Sequence, residues 1–323
     1  MTARGRTLIL ILIAATAALV SISVGSVEIS LSSIAGSVIR ETGTTDSVIV
    51  RELRLPRMLT AFTVGGLLAV AGALLQTLLR NPLADPYILG VSGGASVATL
   101  LAMLLGLGGA WLGGGAVLGS LVSIFLVFGL SRFGNGNRQL RLLLTGIIIA
   151  AGWGALISLL LSISASRQVH GMLFWLMGDL AGSRIPAIGI AILLFGGGIA
   201  LRYARALNLL VRGESFAASL GENPARLRTV VYFLASILTA AAVSLAGSIG
   251  FVGLVVPHLL RLAGTTDHRW LIPQCILLGG SFLVLADALA RTIIAPQQLP
   301  VGVITALIGV PLFLYLLIRS GQQ

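Results

Sequence analysis

The stretch RLPRMLTAFTVGGLLAVAGALLQTLLRNPLADPYILGVSGGA, Arg54–Ala95, decides how the rest of the chain is read. Two arginines flank a proline, and an apolar run follows that is long enough to cross the hydrocarbon core of a bilayer. The polar turn NPLADP then breaks it at Pro82 and Pro86. Proline has no N–H to give and pushes the preceding residue out of helical geometry. A second glycine-rich apolar run begins directly afterwards. The order is surface anchor, membrane helix, broken re-entry and membrane helix. A chain that only anchors itself in a bilayer has no use for the break.

Composition carries this reading outward. Of 323 residues, 57% are hydrophobic and 10% charged, whereas soluble domains carry roughly 25% charged residues. Most apolar surface must therefore face lipid or other membrane helices, and an all-α polytopic membrane protein is expected. Ten apolar segments mark it: Thr7–Val24, Leu59–Leu79, Ile88–Leu107, Trp111–Leu130, Leu142–Ile163, Ile185–Leu201, Val230–Ala246, Ile249–Leu262, Leu271–Ala290 and Val301–Ile318. The eighth is short and holds Pro257, so it is expected to be broken or tilted. The first follows the basic start MTARGR and imitates a signal peptide, but its apolar run exceeds a usual leader core and reads as an uncleaved span.

All 21 basic residues are arginine, and the formal net charge is +11. On a soluble domain this would suggest nucleic acid. Here the charges lie between apolar runs and set orientation instead. With the N-terminus inside, fourteen arginines and four acids fall inside, against seven arginines and six acids outside. Both termini are therefore expected in the cytoplasm of a cell's inner (plasma) membrane. The single cysteine, Cys275, lies in an apolar run and excludes a disulfide or cysteine–metal framework.

Catalytic patterns are missing. The chain has no HExxH, no GxSxG and no phosphate loop, and His170, His258 and His268 are scattered. No acid or arginine lies near the middle of a span, where ion-driven carriers keep them. Energy is thus expected from a partner. The competing classes are a stand-alone channel or ion-driven carrier, and a membrane-embedded enzyme.

The longest inside loop, Arg202–Arg228, reads as two short helices with an apolar side at Leu207, Leu210, Ala217 and Leu220. Gly221 would stop the first, and Asn223 with Pro224 would start the next. An apolar side on a connector suits docking to a soluble partner. Elsewhere Gly65, Gly66, Ala69 and Gly72 recur at helical spacing, which lets helix backbones approach closely. Gly72 and Pro82 share a ten-residue spacing with Gly247 and Pro257, a weak sign of an inverted repeat of the kind transporters use.

RLPR, NPLADPYILGVSGGA, GSIGFVGLVVPHLLR, ADALAR and LPVGVITALIGVPLF occur in this order from Arg54 to Phe313. Together they resemble the permease subunits of type II ABC importers for iron siderophores, haem and cobalamin, the FecCD family. The resemblance implies one permease domain over residues 1–323, with 202–228 as its cytoplasmic coupling loop. It also implies a second permease subunit, as a homodimer, two ATP-binding cassette ATPases inside and a periplasmic or lipid-anchored binding protein outside. The chain itself would perform no catalysis and hold no cofactor or metal; ATP and magnesium would belong to the ATPases. Ferric siderophore is the first expected cargo, with cobalamin or haem as alternatives.

The resemblance also implies roles for single residues. Arg54, Arg57 and Arg291 would receive glutamates of the binding protein; without it they read as lipid-headgroup anchors. Gly213, Glu214, Ala217, Leu220 and Gly221 fill the family's coupling pattern G-E-x-x-A-x-x-L-G and would sit in a cleft of the ATPase. Asn81 and Leu83 would lie at the cytoplasmic gate. The opposing gate strip reads NRQLR, with Gln139 and Leu140 where the family's cobalamin permease has small hydroxyl residues. Gln298 likewise stands where the family commonly has glutamate. Trp153, Met172, Phe174 and Trp175 are candidates to line the path or to sit at the lipid interface.

Overall fold

The computed structural model describes residues 2–25, 36, 44–133 and 138–320, without the side chains of 138–139 and 316–320. Among these residues the structure is helical throughout, with no strand. We number the helices α1 (Ala3–Ser23), α2 (Leu55–Leu79), α3 (Val91–Leu104), α4 (Ala110–Leu130), α5 (Arg138–Ile163), α6 (Ser166–Leu176) and α7 (Ala187–Arg202). They continue with α8 (Ala204–Val211), α9 (Glu214–Ser219), α10 (Pro224–Ala246), α11 (Val252–Leu262), α12 (His268–Thr292) and α13 (Val301–Ser320).

Each of the ten apolar segments corresponds to a helix: α1 to α5, α7 and α10 to α13. Six helices are long and apolar enough to cross a membrane alone: α1, α2 with its lead-in from Thr45, α4, α5, α10 and α12. Helices α3, α11 and the Val301–Tyr315 part of α13 are apolar but shorter. α7 continues into α8 through a bend of 61°, so α8 turns away from its direction.

The helix quoted first is the axis of the molecule. α2 is apolar on every side and almost wholly buried, as a helix enclosed by others must be. It packs against α10, α11 and α12, with α1 and α7 beside them. Its ends follow from local chemistry. Pro56 sits in the first turn, where its missing N–H costs nothing. At the far end Arg80 takes a left-handed conformation (φ 46°), and the Asn81 N–H reaches back to the Gln76 carbonyl. Asn223 caps α10 and Asp267 caps α12, each accepting a backbone N–H of the first turn.

Glycine spacing on α2 has a direct packing reason. A Cβ on Gly72 would lie 1.8 Å from the Gly253 carbonyl oxygen, and one on Gly65 would lie 2.1 Å from that of Gly279. The backbones of α11 and α12 therefore touch α2. Gly72→Val must separate α2 from α11, and overpacking of this kind costs about 1–3 kcal/mol. The expected readout is a lower thermal midpoint in detergent, with helix content by circular dichroism unchanged below the transition.

The proposed repeat spacing marks unlike places. Gly72 lies inside α2, whereas Gly247 ends α10; Pro82 lies in a turn, whereas Pro257 is inside α11. The recurrence is in element order instead. A long buried helix, a break, a short helix and two further helices occur as α2–α5 and again as α10–α13. α11 is indeed short and carries Pro257.

The helices define two ends. Arg57 of α2 meets Asp287 of α12 at one, and Thr77 meets His268 at the other, so these helices are antiparallel. α1 runs parallel to α12: Gln274 donates to the Ala3 carbonyl near their starts, and Arg291 donates to the Ser21 carbonyl near their ends. Arg6 also donates to the Ala263 carbonyl, which places the N-terminal residues at the end that carries Arg202–Arg228.

Candidate docking, gating and coupling sites

At the end holding the start of α2, one carboxylate gathers two arginines. Asp287 is fully buried on α12. Arg57 Nε donates to its two oxygens at 3.0 and 3.1 Å, and Arg57 Nη2 lies 2.9 Å from Oδ1. Arg291, one turn further along α12, reaches Oδ2 at 3.1 Å. Arg57 Nη1 also donates to Gln298 Oε1 at 2.7 Å. Gln298 thus keeps an acceptor for Arg57 without adding a charge.

The remaining donors close the C-terminal end of α1. Arg54 Nη1 donates to the carbonyls of Ile22 (2.6 Å) and Ser23 (2.9 Å). Arg291 Nη2 donates to the Ser21 carbonyl and hydroxyl, each at 3.1 Å. The last carbonyls of a helix lack intrahelical partners and carry partial negative charge, so guanidinium groups suit them. Arg54, Arg57 and Arg291 share the lining of a cavity of about 190 Å³ with Gln298 and Pro296. The structure therefore brings the three arginines together, but it holds them as buried or nearly buried side chains rather than as freely projecting surface groups. Asp287 is the residue that sequence reasoning missed, although it stands inside the quoted ADALAR motif.

At the opposite end, the Arg202–Arg228 loop divides differently from expectation. One helix over Leu207–Leu220 is replaced by α8 and α9, broken at Gly213, whose φ of +119° is open mainly to glycine. Gly221, at φ +85°, ends α9 as expected. Ala217 is fully buried, whereas Leu220 is 55% exposed. Glu214 pairs with Arg228 at 2.8 Å and thereby ties α9 to the first turns of α10.

A polar chain joins this loop to α2. Asn208 on α8 donates through Nδ2 to Asp267 Oδ1 at 2.7 Å, which fixes the orientation of its amide. Its Oδ1 then accepts from the His268 backbone N–H (3.0 Å) and from His268 Nδ1 (2.7 Å). His268 Nδ1 therefore carries a proton, and Nε2 lies 2.8 Å from the Thr77 hydroxyl, whose oxygen is also 2.8 Å from the Ala73 carbonyl. Burial would raise the Asp267 carboxyl, but hydrogen bonds from the Arg269 N–H and Asn208, with the neighbouring positive charges, hold it below the usual carboxylate range. Arg261 adds contacts to Gln76 and to the Ala73 carbonyl. The last turns of α2 are thus held from α8, α11 and α12.

The NPLADP turn follows directly. Asn81 Oδ1 accepts from the Leu83 N–H at 2.9 Å, and Asp85 Oδ1 accepts from the Tyr87 N–H at 2.8 Å. Both are side-chain turns that satisfy backbone freed by the prolines. The Tyr87 hydroxyl bonds the backbone of Ile249, in the break before α11. Arg80 Nη1 lies 3.7 Å from where a Cβ on Gly213 would stand, so the turn and the Arg202–Arg228 loop are neighbours. Leu83 and Leu140 are 40% and 53% exposed. The side chain of Gln139 lies outside the described residues.

Burial pushes the Asp85 carboxyl up to about 6, against the lowering effect of the Tyr87 N–H. A raised carboxyl value means that the native state binds a proton more tightly than the unfolded chain. Its stabilisation is present below about pH 4 and is lost as pH rises through about 6. Asp85→Asn keeps the acceptor for Tyr87 and removes the charge. It is expected to stabilise the protein by about 1–2 kcal/mol at pH 7.5 and by nothing near pH 4. Thermal midpoints of both proteins at the two pH values measure this.

Two of the residues considered for the path or the lipid interface pack within the chain. Met172 is fully buried against Val97, Leu100 and Leu160 and lines no surface of the chain. Trp153 packs on Gly93 and donates through Nε1 to Ser123 Oγ at 3.0 Å, which fastens α5 to α4. Among the described residues no group of three His, Cys, Asp or Glu could hold a metal.

The profile of the FecCD transport family matches residues 10–319. The chain is 41% identical over 317 residues to the hemin transport system permease protein HmuU of Yersinia pestis, covering 94% of both chains. It is 43% identical over 281 residues to the cobalamin import system permease protein BtuC of Halobacterium salinarum, covering 84% of this chain and 74% of that one. A solved inward-facing conformation of a metal-chelate type ABC transporter superposes with a TM-score of 0.87 at 34% identity, over 97% and 98% of the two chains. Motif order, helix order and similarity along nearly the whole length agree, and the chain belongs to the FecCD family as a permease of a type II ABC importer.

Proposed function

We propose that the chain forms, with a second copy, the path by which a large metal chelate crosses the inner membrane, with both termini in the cytoplasm. The observation that carries this is similarity over 94% of both chains to a hemin permease, beside the cobalamin permease relative. These relatives favour a tetrapyrrole or corrinoid chelate over the ferric siderophore expected first from sequence. A binding protein delivers the cargo to the Arg54–Arg57–Arg291 end. Two ATPases dock at α8 and α9, where Val211, Phe216 and Leu220 are exposed, and use ATP and magnesium to switch which side is open.

Co-expression with its ATPase and binding protein, followed by ATP-dependent uptake into proteoliposomes, tests this. Uptake of haem or cobalamin above that of a ferric siderophore is expected. Transport that needs no ATPase would return the channel or carrier class. The docking assignment has its own test. Gln298→Glu places a second carboxylate on Arg57 and competes with any incoming glutamate. It is expected to weaken binding-protein affinity roughly tenfold, about 1.4 kcal/mol. Unchanged affinity by surface plasmon resonance would remove the docking role.

A further inference from the structure

A second cavity, of about 530 Å³, opens at the coupling end between the last turns of α2 and α4 and the first turns of α5 and α10. Its floor is apolar, formed by Leu78, Phe128, Leu142 and Tyr232, and its rim carries Arg132, Arg226 and Arg228. None of these residues belongs to the docking or gate assignments above, although Arg226 and Arg228 close the Arg202–Arg228 loop.

The rim is divided in its charge. Arg228 is neutralised by Glu214 at 2.8 Å. Arg132 lies over the Phe128 ring, 4.3 Å from its centroid, and is exposed. Arg226 is exposed as well. Among the described residues neither Arg132 nor Arg226 has a carboxylate within ion-pair distance. The first turn of α10 adds the positive end of a 23-residue helix to the same rim.

The floor does not stop at the cavity. Phe128 continues along α4 into Phe125 and Leu121, which are 61% and 36% exposed, and Leu118, 65% exposed, lies a further turn away. These positions recur at helical spacing and share one face. On α10, Phe233 packs against Phe125 and Phe128 with ring centroids 6.1 and 4.9 Å apart. An apolar stripe thus runs from the middle of a membrane span to a pair of arginines at its end.

We infer that this cavity binds one anionic phospholipid, its phosphate between Arg132 and Arg226 and an acyl chain along the Phe128–Phe125–Leu121 stripe. Basic pockets between membrane helices at the cytoplasmic side suit such head groups. An acidic side chain of a soluble partner would answer the arginines but could not follow the stripe into the span. A free phosphate would leave the apolar floor uncovered.

Native mass spectrometry of the detergent-purified permease–ATPase complex, supplied with phosphatidylglycerol or phosphatidylcholine, tests this. One phosphatidylglycerol per permease is expected to survive, with phosphatidylcholine retained roughly tenfold less. Arg132→Gln with Arg226→Gln should lower phosphatidylglycerol retention roughly tenfold to thirtyfold, whereas Arg132→Lys should keep most of it. Equal retention of both lipids by the unaltered protein overturns the proposal, whether or not a variant folds. So does unchanged retention in the double variant, or displacement of the lipid by millimolar inorganic phosphate. Loss of the ATPase from the double variant with lipid still bound would assign the rim to the ATPase and overturn it too.

Discussion

Asp287→Ala is expected to leave little folded permease in the membrane. The carboxylate is fully buried and accepts from both Arg57 and Arg291. Its removal strands two guanidinium groups that lie 11% and 9% exposed. Breaking a buried ion pair from one side costs about 3–5 kcal/mol, a large part of the stability of an ordinary domain. The damage would spread, because Arg291 also holds the Ser21 carbonyl and so seats α1 on α12. Yield of monodisperse protein in detergent measures the effect. Asp287→Asn, which keeps an acceptor, should retain more folded protein than alanine. Equal, wild-type yields for both would show that the cluster is not holding the helices.

His268→Phe is expected to separate ATP hydrolysis from transport. Phenylalanine has similar volume and keeps the ring buried, but it ends the two side-chain bonds, from Nδ1 to Asn208 and from Nε2 to Thr77, and leaves only the backbone N–H on Asn208. Thr77 keeps its bond to the Ala73 carbonyl, and Asn208 keeps Asp267, so folding should be largely spared. Each lost hydrogen bond is worth about 0.5–1.5 kcal/mol, and the loss falls on the link between α8 and the last turn of α2. A coupling element must be rigid to transmit a change between two arrangements. Chelate uptake should fall at least roughly tenfold while ATPase association and basal hydrolysis persist. A parallel loss of both activities would mean that His268 serves only folding, and unchanged uptake would take it out of the coupling route.

Much of the architecture is legible from local pattern. The ten apolar runs, the Asn223–Pro224 helix start and the stop at Gly221 each depend on residues within a few positions of one another. What periodicity does not encode is which distant helices meet. Asp287 finds Arg57 across 230 positions, and His268 finds Asn208 across 60. Both acceptor and donor are ordinary residues in their own segments, and only the packing of α2 between α8, α11 and α12 makes them partners. Arg54 shows the converse. It looks like a surface anchor in sequence because it stands before a membrane run, yet the open carbonyls at the end of α1 draw it inward. The break at Gly213 is hidden in the pattern because the apolar side of Leu207–Leu220 continues across it.

α1 is fastened by polar bonds near both of its ends, and Leu10 and Ala17 are buried between them. Near its start Ala3 and Thr7 are bonded to Gln274, and near its finish Ser21 is bonded to Arg291. The span between these fixings is about 27 Å of hydrogen-bonded helix. Such a rod neither stretches nor shortens at thermal energies, so it acts as a splint laid along α12. A rearrangement that moves α12 therefore moves α1 with it, as one stiff plate.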